Sequence, residues 1–124
     1  MKNKIMVVED NPQIREFYRC VIGANGFSLV EILDFTPSSV EKAFLFYKDE
    51  ILCVISDYDI GPGLTGADVV GVVRRMDIAM PIFAICSNDP DGQEMMALGA
   101  NKFFPKPFSL PDLLQALNDL TAGQ

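Results

Sequence analysis

No histidine occurs anywhere in the chain, and its three cysteines, Cys20, Cys53 and Cys86, form no C-x-x-C pair. Zinc centres and histidine-based acid–base catalysis therefore have little to build on. Cys53 and Cys86 lie inside apolar runs, where a small buried hydrophobe is the expected role. Basic residues are also scarce, 10 Lys and Arg against 17 Asp and Glu, for a net charge of −7. Phosphate neutralisation needs clustered Lys and Arg, so direct nucleic-acid binding through this chain is not expected. The pair Arg74-Arg75, flanked by valines and a methionine, reads as a solvated helix face. No apolar run approaches the roughly 20 residues that cross a bilayer. The basic start of "MKNKIMVVED" meets two acids after a short apolar run, unlike a secretion signal. A cytoplasmic protein without a membrane segment is expected. No G-x-x-x-x-G-K-[ST] phosphate loop is present either, which excludes a P-loop NTPase.

What is present is apolar and regularly spaced. The 124 residues are 49% hydrophobic, enough to bury the core of one domain over 1–124. No effector domain is expected within this length. Short apolar runs alternate with helical patterns. The segments 4–10, 27–33, 51–56, 81–87 and 102–107 read as strands. Between and after them, Ile14, Phe17, Tyr18, Val21 and Ile22 keep helical spacing, as do Val40, Ala43, Phe44 and Tyr47. A third helix, valine-rich and weak by propensity, is expected over 66–76, and Leu110 to Leu120 line a closing helix. Asp10 or Asn11 can cap the first helix, Pro12 suits its first turn, and Ser109 with Asp112 resembles a capping box. Five βα repeats with near-continuous apolar strands imply an α/β fold: a doubly wound parallel sheet between two helical layers. Ligand sites in such folds lie at the carboxyl ends of the strands.

Those ends carry a distinctive set of groups. The first strand ends in Glu9-Asp10, the third in Asp57 with Asp59 beyond, the fourth in Ser87-Asn88-Asp89, and the fifth in Lys106-Pro107. Singly, each has a bland reading: Asp10 and Ser87 as helix caps, Asp57 as a turn former, Lys106 as a surface lysine. Together at one rim they place several carboxylates within repelling range. A hard divalent cation with oxygen ligands relieves that repulsion, and Mg²⁺ suits one to three carboxylates plus a phosphate. A carboxylate among a metal, a lysine and a hydroxyl is equipped as a nucleophile for phosphoryl transfer.

In this order and on these elements, the residues resemble the receiver domain of two-component response regulators over essentially the full length. The resemblance implies a flavodoxin-like sheet in the order 2-1-3-4-5. It implies that Asp57 accepts a phosphoryl group from a histidine kinase or histidine phosphotransfer protein, with Mg²⁺ as cofactor. Asp10 and Asp57 would bind the metal through carboxylates, Glu9 through water, and Asp59 through its backbone carbonyl. Ser87 and Lys106 would contact the phosphoryl oxygens, and Phe103 falls at the aromatic switch position. A cis bond at Lys106-Pro107, an unidentified downstream effector and a phosphorylation-dependent homodimer also belong to what the resemblance implies. The chain would then be a switch and not an enzyme in its own right.

Three features depart from the family pattern: Asn88 where a small residue is usual, a loop after Asp57 that looks one residue longer, and Phe103 without a hydroxyl. The fourth helix is expected to be short or irregular, because Pro90 and Gly92 leave only about Gln93 to Leu98 as good helix. Two other readings stay open at this point. "DYD" at a strand end, "SND" after the next and a later lysine also resemble haloacid-dehalogenase-type aspartyl-phosphate phosphatases, although the acidic pair comes first here. An adaptor that keeps the fold without being phosphorylated is the other.

Overall fold

The computed structural model describes residues 2–123. In chain order the elements are β1 (Lys4–Val8), α1 (Pro12–Ala24), β2 (Ser28–Glu31), α2 (Pro37–Tyr47), β3 (Ile51–Asp57), β4 (Asp59–Gly61), β5 (Leu64–Thr65), α3 (Gly66–Met76), β6 (Ile82–Cys86), α4 (Asp89–Ala97), β7 (Lys102–Pro105) and α5 (Leu110–Ala122). The main sheet is parallel, in the order β2-β1-β3-β6-β7, which is 2-1-3-4-5 when its own five strands are counted. The chain thus reverses direction across the sheet at β1 and β3, and a crevice forms there.

Burial explains why the strands read as continuous apolar runs. All seven residues of β3 and all five of β6 are buried, because helices cover both faces. Alternation along β1 divides the core. Met6 and Val8 pack with α2, α3 and α4 on one face, and Ile5 and Val7 pack with α1 and α5 on the other. Weak propensity in α3 is overridden in the same way: Val69, Val70, Val72 and Val73 are all buried.

Side chains set the helix starts. Asn11 caps α1, accepting from the backbone N–H of Gln13 and Ile14, with Pro12 as first residue. Ser109 caps α5 through the Asp112 N–H, but the reciprocal half of a capping box is not formed there. The reciprocal pair is instead at α3, between Thr65 and Asp68. Helix α4 has nine residues, the shortest α-helix among the described residues, and it is regular from Asp89 onward. Asn88 caps it, accepting from the Asp91 N–H at 2.9 Å, and Pro90 occupies its first turn, where a missing N–H costs nothing. It therefore begins four residues before the stretch that propensity favours.

The loop after Asp57 contains an element that no alternation announced. Asp59–Gly61 and Leu64–Thr65 form a small antiparallel hairpin, with Ile60 and Leu64 buried beneath it. Strand β2 is shorter than expected, and β7 ends at Pro105, just before the cis Lys106-Pro107 bond. Among the described residues no helix is long and apolar enough to cross a membrane.

Candidate functional site

Strand β3 is central, and its buried register carries Asp57 to the rim while leaving it only 7% exposed. A carboxylate so enclosed needs partners, and it has two. Lys106 Nζ lies 2.8 Å from Asp57 Oδ2, and the Tyr58 N–H donates to Oδ1 at 2.9 Å. Lys106 arrives from the far side of β6: its backbone N–H bonds Cys86 O at 2.9 Å, and its side chain crosses to β3. Asp57 is also close enough to Glu9 for their charges to interact.

Glu9 follows β1 and is 3% exposed. Burial, first of all, lifts its pKa from the usual carboxylate range to about 7. The negative charge of Asp57 and the contact with Asp10 push in the same direction, while the Asn11 N–H at 3.1 Å and Lys106 oppose. Asp10 is exposed and shares with Asp59 the wall of an open cleft of about 320 Å³ over the β4–β5 hairpin. Glu9, Asp57 and Lys106 thus lie within electrostatic reach of one another, and Asp10 and Asp59 share a cleft at the same rim. Among the described residues no three carboxylates or thiols form a ready-made metal cluster. The ligand atoms that Glu9, Asp10 and Asp59 offer near Asp57 are nevertheless all oxygen. That suits a cation such as Mg²⁺, which takes one or two carboxylates and keeps several waters.

Ser87 and Phe103 are placed differently. Ser87 lies one residue beyond β6, whose Ile85 pairs with Asp57, but it is exposed and makes no side-chain hydrogen bond among the described residues. Phe103 is half-buried, with its ring laid on Gly92 of α4: a Cβ at position 92 would stand 2.6 Å from the ring. Among the described residues neither forms a hydrogen bond or ion pair with Asp57 or Lys106.

Several residues that shape the site were not singled out in the sequence. Gly66 opens α3 so close to β3 that a Cβ there would lie 2.5 Å from the Asp57 carbonyl oxygen, and its N–H bonds Tyr58 O at 2.8 Å. Tyr58 reaches across to α4, donating from its hydroxyl to Glu94 Oε1 at 2.7 Å. Each glycine requirement is a close approach between elements distant in sequence, which spacing along the chain does not reveal. Tyr58 was legible only as the neighbour of Asp57.

Known proteins agree with the geometry. A profile described as the response regulator receiver domain matches residues 5–118. Two curated proteins named Response regulator MprA, from Mycobacterium bovis and Mycobacterium sp., are 28% and 29% identical over 122 residues, 97% of this chain. The chain spans about half the length of these relatives, 51% in each case. Among solved structures, a response regulator receiver protein from Pseudomonas putida superposes with a TM-score of 0.81 at 24% identity, covering 96% of this chain and 98% of its own. The receiver domain of the sensor histidine kinase PA1611 from Pseudomonas aeruginosa, which holds a magnesium ion in its active-site cleft, gives 0.80 at 19% identity, covering 97% and 98%. With its sheet order, its paired Asp57 and Lys106 and a profile match over nearly its whole length, the chain belongs to the response regulator receiver domain family.

Proposed function

We infer that this chain is the phosphoacceptor of a two-component system or phosphorelay, with Asp57 as the residue that takes the phosphoryl group. The observation that supports this most is the buried Asp57 carboxylate held at 2.8 Å by Lys106 at the end of the central strand. An Asp57 carboxylate oxygen attacks the phosphorus of a phosphorylated imidazole on a histidine kinase or phosphotransfer protein. The P–N bond breaks, and its electron pair leaves with the imidazole nitrogen. Tyr58 N–H and Lys106 hold the two carboxylate oxygens in place before the attack, so little reorganisation is needed. Lys106 then has an ammonium to meet phosphoryl oxygens, and Ser87, exposed at the end of β6, is the hydroxyl that turns toward them.

Glu9, Asp10, Asp57 and the Asp59 carbonyl are the groups that would hold Mg²⁺. The magnesium in the PA1611 receiver cleft, in the same fold, supports this choice. When bound, Mg²⁺ supplies positive charge against the equatorial oxygens of the transferring group. Phosphorylation adds about −1.5 to −2 charge and three strong acceptors at the rim. Ser87 and Phe103 would be the switch that answers it, shifting the population between two packings of α4 and β7. A downstream effector then reads that face, in the cytoplasm. The chain acts as a switch and promotes only its own phosphorylation and dephosphorylation.

The test is direct. With Mg²⁺ and acetyl phosphate the protein gains one acid-stable, hydroxylamine-labile phosphoryl group, and Asp57→Asn abolishes it. Label at wild-type stoichiometry on Asp57→Asn moves the acceptor elsewhere. No label on the wild type favours a phosphorylation-independent adaptor, and continuous turnover of phosphomonoesters favours a phosphatase.

A further inference from the structure

Arg15 is the fourth residue of α1, and its side chain returns past the helix start toward the end of β1. Nη1 donates to two backbone carbonyls, Glu9 O at 3.2 Å and Asp10 O at 3.0 Å. The rest of the guanidinium is enclosed. The side chain is 15% exposed, and Cζ lies 6.0 Å from the centre of the Phe35 ring. Nε is buried without a hydrogen bond, 3.9 Å from Glu31 Oε1, and Glu31 is itself held by Arg19 Nη2 at 2.7 Å. A buried donor left without an acceptor is unfavourable. The head group is therefore placed for its carbonyl contacts and not for an ideal ion pair with Glu31.

Those carbonyls belong to the acidic pair. A planar peptide leaves only φ and ψ free, so a fixed carbonyl direction limits where the adjacent side chains leave the backbone. Asn11 N–H, bonded to Glu9 Oε2, secures the third residue of the same turn. We propose that Arg15 is a positioning residue for the cation site: by holding the carbonyls of Glu9 and Asp10 it aims both carboxylates toward Asp57. This rests on the reading of the site as a Mg²⁺-dependent phosphoacceptor.

Charge compensation alone would be a different role, and a lysine separates the two. Lysine keeps the charge but is shorter and lacks the planar head that reaches both carbonyls. Mg²⁺ is titrated calorimetrically into the wild type, Arg15→Met, Arg15→Lys and a control, Arg19→Met. Melting of each metal-free protein is followed alongside. Residues that orient metal ligands commonly carry 10–100-fold in affinity, so both Arg15 variants weaken Mg²⁺ by about tenfold and Arg19→Met leaves it unchanged. Phosphorylation of the Arg15 variants by acetyl phosphate recovers at saturating Mg²⁺, a split that a general loss of stability does not produce.

Wild-type affinity in a folded Arg15→Met overturns the proposal, and so does full rescue by Arg15→Lys. If neither variant folds, ¹⁵N spectra of the wild type decide. The Arg15 guanidinium protons exchange more slowly than those of Arg19 and shift when Mg²⁺ is added; exchange as fast as Arg19 with no Mg²⁺ response overturns it. A wild type that binds no Mg²⁺ overturns the reading of the site itself, and this inference with it.

Discussion

The two halves of the sheet rim are built differently. On the β1–β3 side, Glu9 and Asp57 are buried, and Asp57 is bonded to Lys106 and the Tyr58 N–H. There α3 begins against the Asp57 carbonyl with no room for a Cβ. On the β6–β7 side, Ser87 is exposed and α4 has nine residues; Met95 anchors the helix in the core, while its ties at the rim are an exposed Tyr58–Glu94 hydrogen bond and the Phe103 ring on Gly92. One half is fixed by a close backbone approach and buried charge, and the other by Met95 in the core and by side-chain contacts at the rim. On the proposed function, a phosphoryl group on the first half would meet a fixed acceptor, and the second half would be the one that yields and transmits its effect. A site that both holds a reactive group and reports it needs this division.

Two glycines offer the sharpest contrast. Gly66→Ala drives a methyl into backbone, the Asp57 carbonyl oxygen, and overpacking of that kind costs roughly 1–3 kcal/mol. Phosphorylation by acetyl phosphate should slow strongly, because the displaced atom belongs to the acceptor. Urea unfolding and a phosphorylation time course check both. Gly92→Ala meets first the Phe103 ring, the end of a side chain, and the gain in helix propensity of about 1 kcal/mol opposes the clash. Its stability should stay within about 1 kcal/mol of wild type while the Phe103 ring resonances move. Equal damage from both substitutions would break the comparison.

An intermediate effect concerns pH. Because the folded-state pKa of Glu9 is raised to about 7, the native state holds this proton more tightly than the unfolded chain does. Between about pH 4.5 and pH 7 the native state carries the extra proton, so this group makes stability fall as pH rises through that window. Metal-free Glu9→Gln should therefore gain on the wild type between pH 5 and pH 8 in denaturant melts. A constant difference across that range would show that burial does not raise the pKa of Glu9.

The smallest effect belongs to Tyr58→Phe. It removes one hydrogen bond, worth about 1 kcal/mol at most at an exposed site. Global stability should barely change, and faster amide exchange confined to α4 is the expected sign.

Much of the fixed half was legible in the sequence. Continuous apolar strands announced a buried parallel sheet, and the acids and the lysine at their ends announced a shared rim. The yielding half was less legible. Pro90 and Gly92 argued for a helix beginning near Gln93, yet Asn88 caps one from Asp89, and Gly92 serves the contact with Phe103. The β4–β5 hairpin was hidden because Gly61, Pro62 and Gly63 interrupt any alternation. Arg15, Gly66 and Tyr58 act through contacts with other elements, which periodicity does not encode.

The division of the rim is tested most directly by hydrogen exchange of the Mg²⁺-loaded protein with and without beryllofluoride, a mimic of aspartyl phosphate. Amides from 91 to 98 and at Phe103 and Phe104 should exchange fast in the free protein and slow on addition of the mimic. Those of Glu9 and Ser56 to Tyr58 should be protected in both states, and Asp57→Asn should show no response. Strong protection of α4 in both states, or a response confined to the β1–β3 side, would contradict the account.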